Sequence, residues 1–97
     1  MSDNVVLCKL TSGEEIMYTE ISVGEGATII KDAVTLIYQQ TEQGTVSVGF
    51  SPFMPYHDGS IAIWHNAIAT VSRPKKQLLS EYTRINSNII VAPAGSI

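Results

Sequence analysis

Most of the chain reads as short β-prone runs separated by turn residues, and in some of them apolar side chains recur with the period of two that places successive side chains on opposite faces of a β-strand. Val5–Leu10 is a β-prone run that ends at the turn cluster Thr11-Ser12-Gly13-Glu14. Glu15–Ser22 follows, with Ile16 and Tyr18 alternating with Met17, Thr19 and Ile21. Gly24-Glu25-Gly26 breaks the pattern, and Ala27–Gln40 is then a stretch rich in Ile, Val, Thr and Tyr. It exceeds an ordinary strand in length, which predicts a bend near Asp32-Ala33. Thr41-Glu42-Gln43-Gly44 predicts a hairpin loop, and Thr45–Phe50 a half-buried strand with Val46, Val48 and Phe50 on one face.

Two prolines then interrupt the pattern. Ser51 to Gly59 contains Pro52 and Pro55, which cannot donate to a ladder, so it reads as an irregular excursion closed by an Asp58-Gly59 turn. Ser60–Trp64 is a strand, His65-Asn66 a tight corner, and Ala67–Arg73 the last strand. After Pro74 the period lengthens. Leu78, Leu79, Tyr82 and Ile85 form one stripe at helical spacing, with Pro74 suited to the first helical position and Ser72 a nearby cap. This predicts a helix over about 74–87, stopping at Asn86-Ser87-Asn88, then an extended tail over 88–97 with a loose end from Ala94. Short strands with turns at near ten-residue spacing predict a mainly β fold, a small barrel over about 5–73 that closes or pairs its edges between subunits. The whole chain, 1–97, reads as a single domain.

Composition narrows the function. Charged residues make up 15% of the 97 positions, low for a soluble domain, which favours apolar surface covered by other copies of the chain. The net charge is −3, and three of the six basic residues, Arg73, Lys75 and Lys76, fall in one short window. A global basic footprint for nucleic acid is therefore missing, and a membrane surface is disfavoured. Lys75 and Lys76 lie in the first helical turn, where the macrodipole disfavours cations. Either solvent screens them or they meet an anionic surface on a neighbour or ligand. One cysteine, no basic leader and no long apolar run lead us to expect a soluble, cytoplasmic protein.

Motifs for chemistry are sparse. Cys8 sits mid-strand among apolar neighbours and reads as a small buried hydrophobe. His57-Asp58 and His65 lie on different turns without ligand spacing, so no metal and no cofactor is expected. Gly24-Glu25-Gly26 carries a carboxylate where a phosphate-cradling loop would hold its anion. Phe53, Met54, Tyr56 and Trp64 read as core or subunit-interface residues, with base stacking as the functional alternative. An enzyme is not expected.

The order of strands and breaks resembles the Sm-like family. Val5 to Leu36 is similar to its first motif: Leu10 and Gly13 stand at the strand end and turn glycine, and Ile16, Thr19 and Ile21 on the second strand. Ala27-Thr28-Ile29 stands where the family has Met-Asn-Leu, and Lys31-Asp32-Ala33 resembles the end of that strand. Ala62-Ile63-Trp64-His65-Asn66-Ala67-Ile68, with Val71 closing, resembles the second motif. Gly24 replaces the family's loop aspartate, Thr28 its asparagine, and Trp64-His65 its Arg-Gly pair. Pro74 leading into a helix with Tyr82, then Asn88 to Pro93, looks like small Sm-like proteins of cyanophages and other tailed marine phages.

The resemblance implies a strongly bent five-stranded barrel of the SH3 type, with a C-terminal helix in place of the usual N-terminal one. It further implies a homo-oligomeric ring paired through edge strands, with single-stranded RNA as partner. Thr28, Trp64, His65 and Asn66 would then line a pore, and Arg73, Lys75 and Lys76 would supply peripheral phosphate contacts. The alternative is an oligomeric adaptor or scaffold that binds a protein partner and has lost RNA binding.

Overall fold

The computed structural model describes residues 4–96, with side chains described through Asn86. Six strands and one long helix account for most of it. The strands are β1 (Val5–Leu10), β2 (Glu15–Val23), β3 (Ala27–Gln40), β4 (Val46–Pro52), β5 (Ile61–Trp64) and β6 (Ile68–Ser72). A 3-10 turn, His65–Ala67, joins β5 to β6, and α1 (Lys76–Ser96) follows. All pairings are antiparallel, in the order β4-β3-β2-β1-β6, with β5 also paired to β3.

β3 organises the sheet. One edge runs along β2, while the other carries β4 on Val34–Gln40 and β5 on Ala27–Ile30. The strand bends where the residue pattern predicts. Met17 pairs with Val34 and Thr19 with Lys31, so Tyr18 alone faces Asp32 and Ala33 together. Asp32 takes φ +55°, the left-handed conformation that a short polar side chain tolerates. At the same bend the outer strand departs: Phe53 N–H donates to the Ala33 carbonyl at 3.1 Å, and the chain leaves as the 53–60 excursion. It returns at Ile61 opposite Ile30, after Gly59 at φ +78°.

The sheet is buried on both faces. Cys8, Leu10, Ile16, Tyr18, Ile30, Ile61 and Ile63 pack on one side, joined by Phe53 and Ile68. On the other side Val5, Met17 and Leu36 meet Tyr82, with Leu78, Leu79 and Phe50 around them. Ile16, Met17 and Tyr18 are consecutive and all buried, a pattern possible only where both faces are covered. The helical stripe is thus the lid of the second face, as its spacing predicts.

Five expectations need correction. The sheet does not close into a barrel: its linear order leaves β6 free at one edge and β4 with β5 at the other. Strands number six, because the proline-bearing excursion divides one edge strand into β4 and β5. Val46 and Val48 are not half-buried; at 62% and 39% they are exposed, since α1 reaches only as far as Phe50 along that face. The helix begins at Lys76, two residues past Pro74, and runs to Ser96 through the expected stop and tail. Asn and Ser weaken a helix by only tenths of a kcal/mol, and the stronger breakers Pro93 and Gly95 come in its last turn. The loose end ascribed to Ala94–Ile97 is helical through Ser96, and Ile97 lies outside the described residues.

Candidate functional site

The start of β3 and the end of β5 are brought together by backbone pairing. Thr28 stands opposite Ile63 and Ala27 opposite Trp64. The chain then turns sharply, and His65 N–H donates to the Gly26 carbonyl at 2.9 Å. The turn before β3 is held by Gly24 N–H donating to the Ala27 carbonyl at 2.8 Å. Two segments about 37 residues apart in sequence therefore form one corner.

Within that corner the Thr28 hydroxyl and His65 Nε2 lie 2.9 Å apart, in a hydrogen bond whose direction follows the imidazole tautomer. Thr28 is the buried polar residue of the core, 4% exposed, and His65 satisfies it. Trp64 behaves oppositely. Its neighbour Ile63 turns into the core, so strand alternation sends the indole outward, where it is 64% exposed. The ring extends over Gly26, where an added Cβ would stand 4.0 Å from Trp64 Cζ3. Asn66 is exposed at the next position, in the 3-10 turn.

Of the seven residues the sequence singles out, three are thus assembled directly: Thr28, Trp64 and His65. Asn66 adjoins them. Arg73, Lys75 and Lys76 do not: the five residues of β6 separate them from the corner by about 16 Å of extended chain. All three are exposed, and none forms an ion pair among the described residues, where Arg84–Glu81 is the pair present. The residue the pattern missed is Gly26. Its value is its carbonyl and its missing side chain under the indole, and neither leaves a mark in a hydropathy pattern.

The chemistry offered is a flat exposed aromatic face, an imidazole fixed by a buried hydroxyl, and a free carboxamide. The nearby Glu25 adds negative charge, and no Lys or Arg occurs anywhere from Asp32 to Ser72. Elsewhere, Cys8 is 1% exposed and burial pushes its thiol pKa up, an environment that suppresses the reactive thiolate. Among the described residues no group of three or more His, Cys, Asp or Glu could hold a metal ion, and no helix is long and apolar enough to cross a membrane. Comparison with protein-family models and with curated proteins found no match.

Proposed function

We propose that this chain is a non-enzymatic subunit of the Sm-like kind, which assembles with copies of itself through its open sheet edges into a ring and binds single-stranded RNA at Thr28, Trp64, His65 and Asn66. The observation that carries the reading is the Thr28–His65 hydrogen bond. It joins the two segments that resemble the family's paired motifs and leaves Trp64 exposed above them. The free edges at β6 and at β4 with β5 support the assembly, because unpaired backbone groups on a sheet edge favour strand addition. A base stacked on an indole contributes about 1–3 kcal/mol, enough to replace a lost cation contact.

Trp64 is the chain's only tryptophan, so its fluorescence reports the site directly. Titration with short U-rich and A-rich RNAs at low salt should change it saturably, and Trp64→Ala should weaken binding roughly ten-fold or more, followed by labelled RNA. With Arg73, Lys75 and Lys76 away from the corner, the salt dependence should be shallow. Absence of binding at about 50 mM salt overturns the RNA reading.

A second reading, a protein adaptor on the same ring, is favoured by Glu25, the residue before the Gly26 that lies under the indole, and by the lack of Lys or Arg over 32–72. An exposed tryptophan suits a protein hot spot as well as a base. A partner captured from lysate that survives nuclease and is lost with Trp64→Ala would select this reading.

A further inference from the structure

Pro52 and Pro55 deny the 53–60 excursion and its approach two of the N–H groups that an added strand would use. Whatever binds there is held by side chains, and those side chains are apolar and open. Phe53, Met54, Pro55 and Tyr56 line an open groove of about 410 Å³. Phe53 and Met54 also line a second groove, of about 200 Å³, together with residues that include Ile63 and Trp64. The grooves therefore adjoin, with Phe53 and Met54 shared between them, and each contains an exposed ring: Tyr56 is 98% exposed and Trp64 64%. Asp58, two residues beyond Tyr56, is exposed and has no ion-pair partner among the described residues. With no Lys or Arg from Asp32 to Ser72, the fixed charge along this stretch is negative.

We propose that the adjoining grooves dock a proline-rich segment of a partner protein in the polyproline II conformation, with an Arg or Lys of that segment meeting Asp58. The inference rests on the adaptor reading and names the partner's chemistry. A polyproline II segment has about three residues per turn and no internal hydrogen bonds, so it sets its rings into neighbouring aromatic-walled slots and needs no ladder. An added β-strand would need the N–H groups that the two prolines lack. An amphipathic helix would need one continuous channel, whereas Phe53 and Met54 divide this surface in two. The Tyr56 hydroxyl and the Trp64 indole N–H can donate to the free carbonyls of the segment. Its preformed shape loses little entropy on binding, which suits shallow, open grooves. The carboxylate of Asp58 attracts a basic residue and repels the phosphates of a nucleic acid.

Trp64 fluorescence and the anisotropy of labelled synthetic peptides, measured on the full chain, test this. The probes are a short proline-rich peptide flanked by arginine, the same peptide with alanine for proline, and the same peptide flanked by glutamate. The arginine-flanked peptide should bind saturably; alanine for proline should weaken it about ten-fold, and glutamate for arginine about five-fold. Tyr56→Ala and Asp58→Lys replace exposed side chains, and circular dichroism verifies that each variant stays folded. Tyr56→Ala should weaken binding about ten-fold, and Asp58→Lys should reverse the preference towards the glutamate-flanked peptide. If the proline-rich peptides do not bind, or the alanine peptide binds equally well, the docking site is overturned. The adaptor reading survives that outcome if a nuclease-resistant partner is still captured and is lost with Trp64→Ala, and falls if none is. RNA binding that Tyr56→Ala abolishes, with the peptides unbound, gives the surface to RNA and likewise overturns the proposal.

Discussion

The phenolic hydroxyl of Tyr82 donates to the main-chain carbonyl of Asp32 at 2.9 Å, across 50 residues of sequence. The Thr19 hydroxyl in turn donates to the Tyr82 oxygen, also at 2.9 Å. The helix is thereby fastened to the sheet at the point where β3 bends, and the carbonyl exposed by the bulge gains a partner that its neighbour strand cannot supply.

Tyr82 should then carry stability in two separable parts. Tyr82→Phe keeps the ring and leaves the Asp32 carbonyl and Thr19 hydroxyl without their partner, which should cost about 1–2 kcal/mol in urea denaturation. Tyr82→Ala also empties a site that is 3% exposed, and should cost about 3–5 kcal/mol. Equal losses in the two variants would show that the hydroxyl alone matters.

Asp32 provides a test of the bend itself. Its side chain is exposed, so Asp32→Val removes little contact, yet a β-branched residue at φ +55° should cost about 1–2 kcal/mol. Asp32→Gly should cost much less, since glycine adopts that conformation freely. If the valine variant were as stable as the wild type, the bulge would not be held in the left-handed region.

Thr28→Val is nearly isosteric and leaves His65 without its partner. We expect a loss of about 1 kcal/mol by denaturation and a change in Trp64 emission as the corner loosens. Unchanged emission would mean that the indole is positioned by the Gly26 backbone alone.

Stability should fall in strong alkali. Burial, chiefly, pushes the Tyr18 hydroxyl up to about 12, and its hydrogen bond to the Glu15 carboxylate pushes Tyr38 up to about 12, against an ordinary value of 10.0. Burial also raises Tyr82. Each phenol holds its proton more tightly in the folded chain, so its contribution is fully present below pH 10 and is lost as pH rises towards 12. Urea midpoints followed from neutral pH upward should be flat with respect to these groups, then decline above pH 10. Tyr18→Phe should make that decline shallower.

Much of this architecture is legible in the residues. β-prone runs bounded by turn residues mark every strand to within one or two positions, and the excess length of Ala27–Gln40 foretells the bend at Asp32-Ala33. The stripe Leu78, Leu79, Tyr82 and Ile85 identifies the helix face. Alternation says which side chains share a face, however, and not what covers it, so Val46 and Val48 look half-buried and are open. Closure of the sheet is a matter of global curvature and strand order, which no local pattern encodes. The corner at Thr28 and His65 depends on β3–β5 pairing across some 35 residues, which local periodicity does not encode.

The pairing of β1 with β6 has a consequence in time. β1 is made first, yet its outer neighbour spans Ile68–Ser72, so Leu7 waits for Ser72 and the helix latch comes later still. Until then an apolar strand lies open along its length, and ladders of such long sequence separation form slowly. The nascent chain therefore passes through a stage in which β1 is a template for any extended segment nearby, including the β6 of another copy. Slow release from the ribosome at high expression would favour exchange of β6 between chains over its return to its own β1.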